Sequence, residues 1–175
     1  MPSVFVAAML ENGEIPESTW ELAAIGRSVS DDVPLVLVGS GTGDVVAAAG
    51  KWCDRVIALE CPDIAAPDGD QFADVVAPII RREQPPLVLM SHSNFAMDCA
   101  PRLSVLLDRP LVTDCLSLEV SGDSLQCTRT MYAGKLHARM SVALQPNGCV
   151  LTARPGIVDV SSGAPGAQGD IRTEV

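Results

Sequence analysis

Short apolar runs alternate with segments of helical period through the first two-thirds of the chain. The runs are rich in Val, Leu, Ile and Ala, which is typical of strands that are buried on both faces. The predicted strands cover residues 3–10, 33–41, 55–60, 86–93 and 110–120. Between them, apolar residues recur every three or four positions and so predict helices. Because strand–helix units repeat, we expect right-handed crossovers and a doubly wound, mostly parallel sheet.

Capping residues mark the start of each predicted helix. Ser18, followed three residues later by Glu21, predicts a capping box on the first helix. Asp44 is the candidate cap of the second helix, Asp68 of the third and Ser93 of the fourth. One helix is therefore expected after each of the first four strands.

A period of two replaces the helical period in the last third of the chain. Apolar side chains occupy even positions from 136 to 144, while Lys135, His137 and Arg139 occupy odd ones. This alternation predicts a half-exposed strand with a basic outer face. The preceding apolar residues are odd-numbered, so the phase changes near Gly134, and a bend or bulge is predicted at this glycine.

The C-terminal third is expected to add antiparallel strands to the sheet. A turn is predicted at residues 145–148, because proline fixes φ and glycine accepts the left-handed conformation, and residues 149–155 are then expected to return antiparallel. Residues 159–175 are rich in Gly, Ser, Ala and Pro, which predicts a linker or flexible tail. The 175 residues are thus expected to form one domain, residues 1–158, and this tail.

Composition excludes some functions and compartments. With a net charge of −10, a broad nucleic-acid-binding surface is not expected. No run approaches the roughly 20 apolar residues of a membrane span, and the first apolar run lacks the basic residues of a signal peptide, so a cytoplasmic protein is expected.

Cysteine spacing favours structural free thiols over disulfides or a metal site. None of the spacings gives CxxC or a close Cys/His pair, and most of the cysteines lie among apolar residues, which indicates a reducing compartment. The cysteines are Cys53, Cys61, Cys99, Cys115, Cys127 and Cys149. Asp63, Asp68 and Asp70 can mark a cation site, although a solvated loop with a helix cap explains the same residues. No metal site is predicted.

Two loops are candidates for cofactor binding. Gly39 and Gly41 lie between a strand and a helix, where backbone N–H groups can hold a phosphate. The loop lacks the GxGxxG spacing and the lysine of a P-loop, so a plain tight turn is the favoured explanation. Ser91, Ser93 and Asn94 follow the fourth strand, at the edge where open α/β sheets bind ligands. The alternative there is a polar turn in which Ser93 caps the helix. No Ser/His/Asp triad is found, so no catalytic residue is predicted.

The basic strand has two explanations. Exposed Lys and Arg on an edge strand prevent unwanted pairing with other chains. However, residues 124–158 contain no Asp or Glu in a chain that has 22 of them, which favours an anionic partner surface or cofactor nearby.

Four segments carry motifs of one known family. Residues 129–138, RTMYAGKLHA, are similar to its R-[TP]-x-Y-[AG]-G-N-A, and the segment that starts at residue 91 is similar to its G-A-[ST]-x-x-G-[RK]-[DN]-L-x-P-R-[LV]. ARPG at 153–156 is similar to its V-R-P-G, and residues 4–29 are similar to its opening strand, acidic turn and first helix. The chain thereby resembles the N-terminal domain of the electron-transfer flavoprotein alpha subunit over nearly its whole length. Matching positions are Asp98, Pro101, Arg102, Asp114, Arg129, Thr130, Tyr132, Ala133 and Gly134.

This resemblance implies a three-layer, Rossmann-like α/β fold of the adenine-nucleotide alpha-hydrolase type. It also implies a heterodimer with an electron-transfer flavoprotein beta-like subunit, which together form a platform for a separate FAD-binding domain. FAD is then expected only through a partner or missing domain. The chain is expected to be an electron-carrier component, not an enzyme, serving electron transfer from flavin dehydrogenases. The interface candidates are Arg129, Tyr132 and Gly134 of the motif, together with Lys135 and Arg139 of the basic strand, which the family pattern does not require.

The alternative function is a stand-alone adenine-nucleotide-binding module of the same fold, acting as a homodimer. It would use the glycine loop at residues 38–44 and the polar loop at residues 91–94. Saturable binding of AMP or ATP without a partner would favour it.

Overall fold

The computed structural model describes residues 3–61, 67–144, 147–158, 160 and 170–174. In this part of the chain four strand–helix units are followed by five further strands. The helices are α1 Glu17–Val29, α2 Thr42–Ala49, α3 Gly69–Glu83 and α4 Asn94–Leu107. The strands are β1 Val4–Met9, β2 Leu35–Gly39, β3 Arg55–Glu60, β4 Leu87–Ser91, β5 Leu111–Ser121, β6 Ser124–Met131, β7 Leu136–Ala143, β8 Cys149–Ala153 and β9 Asp170–Glu174.

The strands of the described residues form one mixed sheet in the order β7-β6-β5-β8-β4-β1-β2-β3-β9. Neighbouring strands pair parallel throughout, except for the antiparallel pairs β5–β6 and β6–β7. We call β5, β6 and β7 the meander. The predicted fold class is confirmed: a Rossmann-like, mostly parallel sheet with an antiparallel addition in the C-terminal third.

Alternate residues of the central strands feed two cores, one on each face of the sheet. On β1, Val4 and Val6 pack into a cluster with residues of α1 and α2. Phe5 and Ala7 point the other way and pack with α3 and α4. All four side chains are buried. Because helices cover both faces, the parallel strands carry unbroken apolar runs, and each buried Val or Phe contributes about 1.5–3 kcal/mol.

Strand β8 lies in the middle of the sheet, so the prediction that residues 149–155 return antiparallel was wrong. The strand pairs parallel with β4 on one side and β5 on the other, and all five of its residues are buried. A strand covered on both faces needs side chains that tolerate burial at every position, and CVLTA has them, whereas β7 alternates. Of the turn predicted at 145–148, residues 145 and 146 lie outside the described residues.

Gly148 brings the chain to the start of β8. Its φ of 72° is left-handed, and a Cβ there would collide with the carbonyl oxygen of Pro86, just before β4. The Cys149 N–H donates to that same carbonyl at 2.9 Å. The close approach and the left-handed backbone both require glycine at this position.

Residues 170–174 were expected to belong to a linker or flexible tail, and for them this prediction was wrong. They form β9, which pairs parallel with β3 at the edge of the sheet. Arg82 of α3 donates two hydrogen bonds, of 2.7 and 3.1 Å, to the Glu174 carboxylate. The sequence DIRTE carries no apolar pattern, so its pairing depends on backbone hydrogen bonds and this ion pair. Of the other residues of the expected tail, residue 160 is described, and residues 159, 161–169 and 175 lie outside the described residues.

A four-residue turn joins β6 to β7. Tyr132, Ala133 and Gly134 have left-handed φ values of 51°, 54° and 86°, and Met131 pairs with Leu136 across the turn. The bend or bulge predicted at Gly134 was therefore wrong, because this glycine lies in a hairpin turn. The chain reversal also explains the change of phase, since it sets odd residues of β6 opposite even residues of β7.

Two of the four predicted helix caps are confirmed. Asp68 and Ser93 accept backbone N–H bonds at the starts of α3 and α4. Pro16 directly precedes α1, so Ser18 lies inside that helix, and Asp44 lies inside α2. These two predictions were wrong, because a proline with its fixed φ can begin a helix and because the first N–H groups of α2 bind a different carboxylate.

Candidate functional site

The predicted cofactor residues lie in two loops at the carboxyl edge of the parallel strands. Gly39 ends β2 and Gly41 follows it, while Ser91 ends β4 and is followed by Ser93 and Asn94. Strand β1 lies between β2 and β4. Because neighbouring strands are about 4.8 Å apart, the two loops are separated by roughly two strand spacings.

Glu60 fills the position at the glycine loop where a phosphate would bind. Its carboxylate accepts hydrogen bonds from the backbone N–H groups of Gly41 and Thr42 at 2.7 and 2.9 Å, and from the Thr42 hydroxyl at 2.6 Å. The hydroxyl, followed by the Gly41 N–H, holds the pKa of Glu60 below its usual range. Gly39 leaves room for Leu10, which a Cβ would meet at 2.8 Å. A phosphate here would have to displace an internal carboxylate.

The polar loop after β4 borders a small cavity. Ser91 and Ser93 line it together with residues of β1 and the start of α1, and its volume is about 50 Å³. Ser93 also caps α4 by accepting the Ala96 N–H at 3.2 Å. Asn94 is exposed. Sites for drug-sized ligands and cofactors have volumes of roughly 300–1,000 Å³, so this cavity is too small for an adenine nucleotide.

An ion pair between Asp114 of β5 and Arg154, directly after β8, joins the meander to the centre of the sheet. Arg154 donates from Nε to Oδ1 at 2.8 Å and from a terminal nitrogen to Oδ2 at 2.7 Å, the two-pronged geometry of a strong pair. Thr130 of β6 donates its hydroxyl to Oδ2 at 2.8 Å and accepts from Arg154 at 2.9 Å. Arg154 first, and Thr130 after it, hold the pKa of Asp114 below its usual range.

The backbone at Asp114 is bulged. Its φ of 60° is left-handed, and the register of β5 against β8 shifts between Val112 and Cys115. The Asp114 N–H donates to the Thr152 hydroxyl at 3.1 Å, and the same hydroxyl lies 2.9 Å from His92 Nδ1. Aspartate tolerates this conformation better than most residues. The bulge gathers polar groups from β5, β8 and the loop after β4 at one point.

A cleft of about 530 Å³ opens between this ion pair and the β6–β7 turn. Its walls are formed by Asp114, Arg129, Thr130, Met131, Tyr132, Ala133, Gly134 and Arg154. Among the interface candidates, the structure brings Arg129, Tyr132 and Gly134 together on the cleft wall. Lys135 ends the turn, and Arg139 lies farther along β7.

Arg129 is a half-buried cation without a counter-ion. It stands opposite Cys115 in the β5–β6 pairing, and its Nε is buried with no hydrogen-bond partner. Its side chain makes no hydrogen bond or ion pair with any residue that the structure describes. The cleft therefore has one satisfied arginine, Arg154, and one unsatisfied arginine.

Apolar side chains are exposed around the turn. Tyr132 is 70% exposed, Leu136 56% and Met131 40%. The odd-numbered residues of β7, His137 and Arg139 among them, are exposed, and Ala138, Met140 and Val142 are half-buried, as the alternation predicted. For Leu136 the prediction was wrong, because this residue lies at the turn, where its side chain is exposed. The meander thus presents apolar and basic groups together.

Sequence reasoning did not place the Asp114 cluster in a site. Asp114 and Arg154 lie in segments that carry family motifs, but nothing in the spacing showed that Thr130, Thr152 and His92 surround them. One signal was present: Asp114 lies between the apolar start of β5 and Cys115, which is buried, and a carboxylate beside the core needs a partner. The bulge that turns it toward Arg154 has no sequence signature here.

The cysteines have the inert character that the sequence predicted. All six are free thiols, and five are buried. Burial raises the pKa of Cys53, Cys99 and Cys149 to about 12 each. A thiol with such a pKa stays protonated and unreactive at neutral pH.

The described residues contain no cluster of His, Cys, Asp and Glu that could hold a metal ion. Of the three aspartates considered for a cation, Asp63 lies outside the described residues, Asp68 caps α3, and Asp70 lies 3.4 Å from Arg102. None of the helices in this part of the chain combines the length and apolarity needed to cross a membrane.

The fold and the carboxyl-edge loops define a Rossmann-like α/β domain, and comparison with known proteins identifies its family. Residues 4–175 match the electron transfer flavoprotein domain, so the chain belongs to that family. It is 27% identical over 173 residues to the electron transfer flavoprotein subunit alpha of Bacillus subtilis, covering 97% of the chain and 53% of that protein. It is 28% identical to the same subunit of Syntrophomonas wolfei, covering 94% and 51%.

Another relative is the protein FixB of Clostridium saccharobutylicum, at 25% identity over 89% of the chain and 48% of that protein. The chain therefore spans about half the length of these curated relatives. It is an alpha-subunit-related member of the family, as the motifs indicated.

Proposed function

We propose that this chain is the platform domain of an electron-transfer flavoprotein alpha-type component. It associates with a beta-like subunit, and the two together support a separate FAD-binding domain that carries electrons from flavin dehydrogenases. In this proposal the chain supplies binding and orientation, while the flavin supplies the redox chemistry. It performs no catalysis of its own.

The observation that carries this proposal is the extent of the family match. The family match covers residues 4–175. The relatives from Bacillus subtilis and Syntrophomonas wolfei, which match 97% and 94% of the chain, are named alpha subunits. The chain corresponds to about half of their length. The flavin-holding part is therefore proposed to lie outside residues 1–175, in the same or in another chain.

The geometry of the carboxyl edge argues against the nucleotide-binding alternative. Glu60 neutralises the N–H groups that a phosphate would use, and the cavity beside Ser91 and Ser93 is about 50 Å³. Neither loop offers a prepared nucleotide site. Calorimetry of the isolated chain with AMP and ATP is expected to show no saturable heat, and tight binding of either would favour the alternative.

Reconstitution tests the proposal directly. The purified chain is expected to lack the visible absorption of flavin, and to elute together with a beta-like subunit in size-exclusion chromatography. Adding both to an FAD-loaded flavin domain is expected to raise the rate of flavin reduction by a dehydrogenase. An unrelated acidic protein of similar size is the control. The proposal fails if the chain neither associates with the beta-like subunit nor changes electron transfer.

A further inference from the structure

Arg129 lies on the apolar face of β6. Side chains two positions apart share a face of a strand, and Leu125 and Cys127, which precede Arg129 on that face, are both buried. Cys115 stands across from it on β5 and is buried as well. A guanidinium on such a face loses water, and each donor left unpaired there costs free energy.

Each of the other arginines has at least one acceptor, although two nitrogens of Arg27 are also buried without a partner while its third binds Asp31 and Asp54. Some donate to a carboxylate, as Arg82 does to Glu174 and Arg154 to Asp114. Arg81 and Arg109 donate to backbone carbonyl groups. Exposed arginines such as Arg139 lie within 4.0 Å of a carboxylate. Arg129, by contrast, has no acceptor among the described residues, although its Nε is buried and an unpaired buried donor costs free energy.

The cleft beside Arg129 carries positive charge. Asp114 is its acidic wall group, and Arg154 already neutralises that carboxylate at 2.7 and 2.8 Å. Residues 124–158 contain no Asp or Glu. The charge of Arg129 therefore remains uncompensated, and an arginine fork in a desolvated setting binds carboxylates well.

The rim of the cleft indicates a protein as the source of the carboxylate. Met131, Tyr132 and Leu136 are exposed around the same turn. A small free anion would leave these apolar groups in water, whereas a docked protein surface would cover them. Aromatic and arginine side chains placed together are also typical of interface hot spots.

We propose that Arg129 binds an acidic side chain of the partner protein, inserted into the cleft between Arg154 and Tyr132. The proposal rests on the proposed function, in which that partner is the beta-like subunit. The exposed residues Met131 and Leu136 then pack around the inserted carboxylate and exclude water from it.

The test measures the affinity of the chain for the beta-like subunit by calorimetry. Arg129→Gln is expected to weaken binding by about tenfold or more, because the partner's carboxylate loses its charged fork. Lys51→Gln is the matched control, since it removes one exposed charge near the other edge of the sheet and is expected to change the affinity less than about twofold. Arg129→Lys is expected to recover only part of the loss, because an ammonium does not reproduce the fork.

Equal affinities for wild type and Arg129→Gln would overturn the inference while leaving the proposed function intact. The isolated chain is also titrated with inorganic phosphate, acetate and AMP. No saturable binding is expected. Binding of any of these that Arg129→Gln abolishes would assign the cleft to a free anion and overturn the protein as occupant.

A third measurement does not depend on the partner. If the guanidinium serves only an external anion, Arg129→Met should leave the urea-denaturation midpoint of the isolated chain unchanged or raised, because an apolar side chain of similar length suits that face better. A lower midpoint would show that the cation serves the fold and would overturn the inference. A lower midpoint would overturn the inference whether or not the wild-type chain binds a beta-like subunit, whereas absence of that binding is the outcome that contradicts the proposed function.

Discussion

The parallel centre of the sheet and the meander at its edge place their polar groups differently. In the centre, all five residues of β8 are buried. Glu60, the last residue of β3, accepts hydrogen bonds from the Gly41 N–H, the Thr42 N–H and the Thr42 hydroxyl. In the meander, β7 alternates between half-buried and exposed positions, and Arg129 on β6 has no partner among the described residues. Among the described residues, the Glu60 carboxylate in the centre thus has partners within the chain, whereas the meander has an unpaired arginine and exposed apolar side chains.

The largest expected effect comes from replacing one leucine in each region, the buried centre and the meander. Leu151 of β8 is fully buried, whereas Leu136 of β7 is 56% exposed. Leu151→Ala is expected to lower the free energy of unfolding by about 3 kcal/mol, because it leaves a cavity in the core. Leu136→Ala is expected to change it by less than about 0.5 kcal/mol. Urea denaturation measures both, and similar losses would show that the meander belongs to the same cooperative core.

The next effect concerns the ion pair that joins the two regions. Asp114→Ala is expected to lower the free energy of unfolding by about 2 kcal/mol, because Arg154 and Thr130 lose their acceptor and alanine is less suited to a left-handed backbone. Asp114→Asn is expected to cost about 1 kcal/mol, since asparagine tolerates that conformation. Equal losses for the two variants would mean that backbone strain at this bulge is unimportant.

The same ion pair makes stability depend on pH. The folded pKa of Asp114 lies below the unfolded value of about 3.9, so the ionised carboxylate stabilises the fold fully above that value. The contribution is lost as the pH falls through the folded pKa. The pKa of Glu60 is lowered as well, so Glu60 also makes the fold less stable as the pH falls. The effect of Asp114 is therefore isolated by measuring the difference in free energy of unfolding between wild type and Asp114→Asn at each pH. That difference should shrink as the pH is lowered below about 4, and a constant difference would contradict the assignment.

Glu60 tests whether the glycine loop is complete without a ligand. Glu60→Gln is expected to lower the free energy of unfolding by about 1 kcal/mol, the usual cost of losing a helix cap, because a neutral amide binds the Gly41 and Thr42 N–H groups more weakly. Glu119→Gln, on the exposed part of β5, is the control and should be neutral. If Glu60→Gln is neutral as well, the carboxylate does not hold the loop.

The parallel part of the fold followed from the sequence because burial on both faces leaves an apolar signature. Strands β1 to β4 and the helices after them were predicted for this reason. The position of β8 was not, because sequence order suggests pairing with the neighbour in the chain, and only tertiary packing inserts it between β4 and β5. Strand β9 carries no pattern at all, since its pairing depends on backbone groups.

The candidate site was less predictable than the fold. Arg129 and Tyr132 were found from a motif and from the absence of acidic residues, both of which are visible in the sequence. Asp114 reaches Arg154 only through a bulge, and Glu60 reaches the glycine loop only because β3 neighbours β2. Contacts that depend on which strands become neighbours require the topology first.

The last prediction concerns the two explanations of the basic strand, and its expected effect on stability is the smallest. Reversing both charges, Lys135→Glu with Arg139→Glu, is expected to change the free energy of unfolding by less than about 0.5 kcal/mol, because Arg139 is exposed and lies 3.9 Å from Glu119. The reversed strand still carries charges, so it still prevents edge pairing, and the chain should remain soluble. If the strand serves only to block pairing, association with a beta-like subunit is unchanged. If it faces an acidic partner, the association rate falls several-fold at low salt, and Lys51→Glu leaves it unaltered.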